Sequence, residues 1–114
     1  MPRGYKACLR DILEAISKIE RYIEEMSFED FSQDDLIKDG IARNLEIIGE
    51  AVKNIPDEIK KKNYDLEWKK IAGLRGILIH TYFGIDVEIV WDIVKNKIPS
   101  VKEKIMEMFT QIKE

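Results

Sequence analysis

The sequence is poor in the residues that staple or punctuate a small fold. It holds one cysteine and three prolines, and its single histidine is His80, in a chain of 114 residues. A lone cysteine, Cys8, closes no intramolecular disulfide and builds no cysteine zinc site, so it reads as core. No apolar run approaches the ~20 residues needed to span a bilayer, because Arg75 and His80 interrupt the longest candidate. The opening residues Met1-Pro2-Arg3-Gly4-Tyr5-Lys6 lead into an amphipathic stretch rather than the apolar centre of a secretory signal. The expectation is one soluble domain over residues 1–114, cytoplasmic and without a membrane partner. A chain of this length buries roughly 65% of the surface its unfolded form exposes, which is enough for a core without covalent help.

Strong charge of one sign is missing as well. Nineteen basic and twenty-two acidic residues leave a net charge of −3, which argues against a protein that coats nucleic acid non-specifically. The distribution is uneven, however. Residues 14–35 carry eight acids against Lys18 and Arg21, a balance of −6. Residues 58–75 carry six bases against Glu58, Asp65 and Glu67, a balance of +3. Such runs are usually solvated faces, yet the basic one ends on Arg75.

Apolar residues spaced by three and four run through nearly the whole chain. Leu9, Ile12, Leu13, Ile16, Ile19, Ile23 and Met26 predict a first helix over 5–26. Ser27 to Ser32 break it, and Ser32 or Asp34 can cap a second. Ile37, Ile41, Leu45, Ile48, Val52 and Ile55 form the stripe of that second helix, which Pro56 ends or interrupts. Gly40, Asn44, Ile47 and Ala51 make another, smaller-residue stripe around the same helix, a face suited to a further packing partner such as a second chain. Residues 56–64 read as a polar turn or a short frayed helix. A third helix is expected from about Leu66 to Tyr82, stopping before Gly84. Asp86 can cap a fourth, with Val87, Val90, Trp91 and Val94 on one face. Pro99 suits the first turn of a fifth, with Val101, Ile105, Met108, Phe109 and Ile112 facing inward. With no strand-like alternation, the fold class is all-α, an antiparallel bundle of about five helices.

The third helix breaks its own pattern. At ~100° per residue, Trp68, Ala72, Ile79 and Tyr82 share an apolar face, and Arg75 falls in its middle. A buried arginine needs a partner. Asp39, Glu46 and Glu50 on the second helix are the candidate carboxylates, and a phosphate is the functional alternative. His80, five residues on, lies about 140° around an ideal helix from Arg75. Their side chains converge only if the helix tightens or if two copies cross. Metal-independent cleavage of RNA through the ribose 2′-OH needs a base, an acid and charge stabilisation at phosphorus. One chain offers one group that titrates near neutrality, whereas a symmetric pair offers two His80 and two Arg75. Tyr82 is either an aromatic closing the helix end, a phosphate contact or a hydroxyl open to modification. One histidine and scattered carboxylates offer no metal-ligand spacing, and nothing calls for a cofactor.

Arg75-Gly76-Ile77-Leu78-Ile79-His80-Thr81-Tyr82 fits R-x-x-x-x-H-x-Y, and in this it resembles the HepT-like toxins of the HEPN superfamily. The likeness covers nearly the whole chain. Arg43-Asn44-Leu45-Glu46-Ile47-Ile48-Gly49-Glu50-Ala51 resembles the second-helix signature of that family. Trp68 to Leu74 resembles the approach to the motif, Tyr82-Phe83-Gly84-Ile85-Asp86 and Val90-Trp91 its exit, and Ile98-Pro99 the next turn. The resemblance implies a HEPN-like homodimer with ribonuclease activity, the toxin of a toxin–antitoxin pair. It implies an antitoxin that is a minimal nucleotidyltransferase and silences the toxin by placing AMP on the motif tyrosine. By position, Arg75 and His80 would be catalytic and Tyr82 modified, with Asn44, Glu46 and Glu50 as possible cleft or pairing residues. One position departs: the family often carries Asn or another polar residue after the motif arginine, and this chain has Gly76. The competing reading is a non-catalytic module that binds a nucleotide or the nucleotidyltransferase.

Overall fold

A computed structural model describes residues 4–76 and 87–112. The regular structure in these residues is entirely helical. Among them no helix is long and apolar enough to cross a membrane. His80, Tyr82, Gly84 and Asp86 lie outside the described residues, as does the second half of the expected third helix.

Helix α1 (Tyr5–Ile23) buries Cys8, Leu9, Ile12, Ala15, Ile16, Ile19 and Ile23. These are the three-and-four steps of one helix face. Helix α3 (Asp35–Lys53) supplies the opposite wall with Ile41, Leu45, Ile48 and Val52. Its start is set by Asp34, whose carboxylate accepts the Ile37 N–H at 3.0 Å, one of the otherwise orphaned first-turn donors. Gly40 brings α3 onto α1, where a β-carbon would stand 3.2 Å from the Tyr22 ring. Part of the small-residue stripe is therefore used inside the chain.

The break expected at Ser27–Ser32 holds a short helix instead, α2 (Phe28–Gln33). Ser27 and Asp30 form a reciprocal capping box, with the Asp30 N–H on Ser27 Oγ at 3.0 Å and the Ser27 N–H on Asp30 Oδ2 at 3.3 Å. Phe31 is buried, and its ring packs 5.1 Å from that of Trp91. After Pro56 comes α4 (Asp57–Lys62), with two acids in its first turn and three lysines in its last, the arrangement the helix dipole favours.

The expected fourth and fifth helices are one continuous helical run. Helix α6 (Val87–Asp92) passes through a π-helical turn (Ile93–Lys97) into α7 (Ile98–Thr110). The Ile98 N–H bonds the Ile93 carbonyl, a five-residue step. Pro99 lacks an N–H, and in a regular helix its ring crowds the carbonyl four residues back. The wider turn falls just before it. Val90, Val94, Ile98, Ile105 and Met108 are buried along this run, which packs on α1 through α7. Lys102 clasps both carboxylate oxygens of Glu20 across that seam at 3.0 and 3.1 Å.

Candidate functional site

The described part of the expected third helix is short. Helix α5 (Trp68–Ala72) tightens at once into a 3₁₀ turn over Gly73–Gly76, and this turn carries Arg75. Ile71 and Leu74 are the residues it buries. The expectation that Arg75 sits inside an apolar face is corrected: its side chain is 43% exposed. Ala72 and Arg75 lie against α3 at Gly49, while Trp68 turns to the end of α4. The aliphatic stem of Arg75 rests on α3 while its charged head reaches solvent.

Gly49 makes that approach possible. A β-carbon there would stand 2.9 Å from the Ala72 carbonyl oxygen, 2.9 Å from the Arg75 backbone nitrogen and 3.2 Å from Arg75 Cγ. One residue further along α3, Glu50 Oε1 lies 3.3 Å from Arg75 Nε. Of the three candidate carboxylates, Glu50 is therefore the partner. Glu46 pairs instead with Arg43 on its own helix, at 3.5 Å, and Asp39 is exposed.

Glu46 and Glu50 line a cleft of about 550 Å³ between α1 and α3, together with Cys8, Asp11, Arg43 and Ile47. Asn44 is not on its lining. Asn44 is 5% exposed, and its amide donates to the Gly40 carbonyl at 2.8 Å, a bond within α3. The structure thus brings Glu50 to Arg75 and leaves Asn44 to its own helix.

The geometry leaves Arg75 able to take an anion. A guanidinium carries five donors, and Glu50 approaches Arg75 at Nε; no second carboxylate pairs with Arg75 among the described residues, so donors remain for an oxyanion. Both members of the pair are about half exposed, so the ion pair itself adds little stability. Its effect is to orient a cation at the rim of the bundle, on the segment that runs on to His80.

Residues 12–108 match the family described as ribonuclease HepT-like. The chain belongs to that family. It is 47% identical over 104 residues to a protein of Thermococcus cleftensis named a probable ribonuclease HepT, covering 91% of this chain and 94% of the relative. It is 44% identical over 113 residues to a Methanocaldococcus jannaschii protein provisionally named an RNase, covering 98% of this chain and 93% of the other. A further M. jannaschii relative, named a γ-glutamylcyclotransferase and provisional RNase, is 39% identical over 112 residues, which are 98% of this chain but only 50% of that protein. No solved structure gives a significant match.

Within this HepT-like chain, Gly49 is the residue that sequence reasoning passed over. Its signal was present: a glycine inside a helix costs about 1 kcal/mol relative to alanine, so an interior glycine asks for a packing reason. Gly76 shows no such reason among the described residues, where a β-carbon would meet nothing within 4 Å.

Proposed function

We propose that this chain is a metal-independent RNA endonuclease and the toxin of a toxin–antitoxin pair, acting on cytoplasmic RNA. The observation that carries the reading is Arg75, paired at Nε with Glu50 and with its side chain still 43% exposed, in a segment matched to the ribonuclease HepT-like family. Arg75 binds the scissile phosphate through the guanidinium donors that Glu50 does not engage. His80 takes the proton of the ribose 2′-OH, that oxygen attacks phosphorus, and the bond to the 5′-oxygen breaks. The products carry a 2′,3′-cyclic phosphate and a 5′-hydroxyl. A homodimer supplies a second His80 to protonate the leaving oxygen.

The same reading makes the partner a minimal nucleotidyltransferase that transfers AMP to the Tyr82 hydroxyl. A phosphodiester there would bring negative charge and bulk to the cleft that must receive RNA phosphate, so silencing follows by repulsion and occlusion. RNA cleavage in excess EDTA, beside the His80→Ala variant, tests the proposal. The expected result is cyclic-phosphate ends from the parent and none from the variant. Cleavage retained in the variant removes His80 from the mechanism.

The alternative is a non-catalytic module binding a nucleotide or the nucleotidyltransferase. Gly76 favours it, because it places no hydrogen-bonding side chain beside Arg75. That reading expects tight partner binding with no RNA cut by parent or variant.

A further inference from the structure

A second surface lies upstream of Arg75, where α4 meets α5. A shallow groove of about 550 Å³ is lined there by Lys60, Lys61, Tyr64, Trp68, Lys69 and Lys70, with Asp57 and Glu67 as its acids. Trp68 fixes its shape. The indole N–H donates to the carbonyls of Lys60 and Asn63, at 3.1 and 3.0 Å, and so ties α5 to the end of α4. Lys70 is neutralised by Glu67 at 2.7 Å. Lys60, Lys61 and Lys69 have no carboxylate partner among the described residues.

Tyr64 stands among these lysines 86% exposed. Its ring stacks on no other ring and its hydroxyl makes no hydrogen bond among the described residues. We propose that this groove is a subsite for single-stranded RNA, with Tyr64 as the platform for one unpaired base and Lys60, Lys61 and Lys69 on the flanking phosphates. Free cations around a flat, unstacked aromatic ring are the pairing that single-stranded nucleic acid requires. A protein partner fits less well, since lysine is depleted from the centres of protein interfaces. The groove also lies close to Arg75 along the chain. From Lys69 to Arg75 the backbone climbs about 10 Å, at ~1.5 Å per α-helical and ~2 Å per 3₁₀ residue. One strand can therefore lie across both. The inference rests on the ribonuclease reading and names where the substrate is held beside the cut.

The test is fluorescence anisotropy of labelled oligoadenylate on the full chain carrying His80→Ala, which prevents turnover. Tyr64→Ala in that background is expected to weaken binding about 5- to 150-fold, the range for one stacked base, and Tyr64→Phe to leave it near the parent. Removing Lys60, Lys61 and Lys69 together should flatten the dependence of log affinity on log salt by about 2. Melting curves verify that these surface variants fold. Unchanged affinity in Tyr64→Ala, or duplex RNA competing as well as the single strand, overturns the groove while leaving metal-free cleavage intact. A parent that neither binds nor cuts RNA overturns both readings.

Discussion

Replacing Gly49 by alanine should push the Arg75 turn away from α3. The new β-carbon would stand 2.9 Å from two backbone atoms, the Ala72 carbonyl oxygen and the Arg75 nitrogen, and ordinary contact begins at 3.4 Å. The difference, 3.4 − 2.9, asks the turn to recede by about 0.5 Å, because backbone cannot swing aside as a side chain does. Overpacking of this kind costs roughly 1–3 kcal/mol. Alanine's better helix propensity returns about 1 kcal/mol. The net loss of about 1 kcal/mol corresponds to a fall in melting temperature of roughly 4 °C. Activity should suffer more, since a catalytic group misplaced by ~1 Å costs about a hundredfold and half that distance about tenfold. Gly40→Ala is the control on the same helix, because its nearest neighbour is the ring of Tyr22, which can give way. Calorimetry and RNA cleavage on both variants decide the matter. A Gly49→Ala protein as stable and as active as the parent would refute the close-packing account of the site.

Glu50→Ala should change stability by less than ~1 kcal/mol, as for other exposed ion pairs, yet lower kcat about tenfold through loss of orientation; an unchanged kcat would mean that Glu50 does not position Arg75. The bond from Lys104 holds the Asp65 carboxyl below its ordinary value of 3.8. The stability it contributes is present above that value and lost as pH falls through the lower folded one. Wild type and Asp65→Asn should therefore melt further apart at neutral pH than in acid, and a gap independent of pH would contradict the pairing.

Much of the bundle was legible because its signals are local. The α1 stripe, the Asp34 cap and the stop at Pro56 each depend on a few adjacent residues. Helix α2 escaped because a six-residue helix shows no period, although the Ser27 and Asp30 pair announces its cap. Pro99 does stand in the first turn of α7, as its chemistry predicts, and what has no sequence mark is the π turn that joins this helix to α6. At the site, charge logic narrowed the partner of Arg75 to three acids, and only packing could choose Glu50. The exposure of Arg75 is not legible in the sequence, because helix projection gives angles around one axis and says nothing about how closely a neighbouring helix approaches.

Helix α5 spans five residues, too few to persist alone. With the 3₁₀ turn that carries Arg75, it is held by α3 and by the Trp68 bonds to the end of α4, while α1 and α3 also pack directly on each other. The site can thus open by local unfolding while the rest of the bundle stays folded, so its integrity has a free energy of its own. Amides of α5 and the 3₁₀ turn are therefore expected to exchange with solvent faster than those of α1 and α3, which hydrogen-exchange measurements would show. A partner that grips the turn closes that opening, and so supplies order to the site without touching the core.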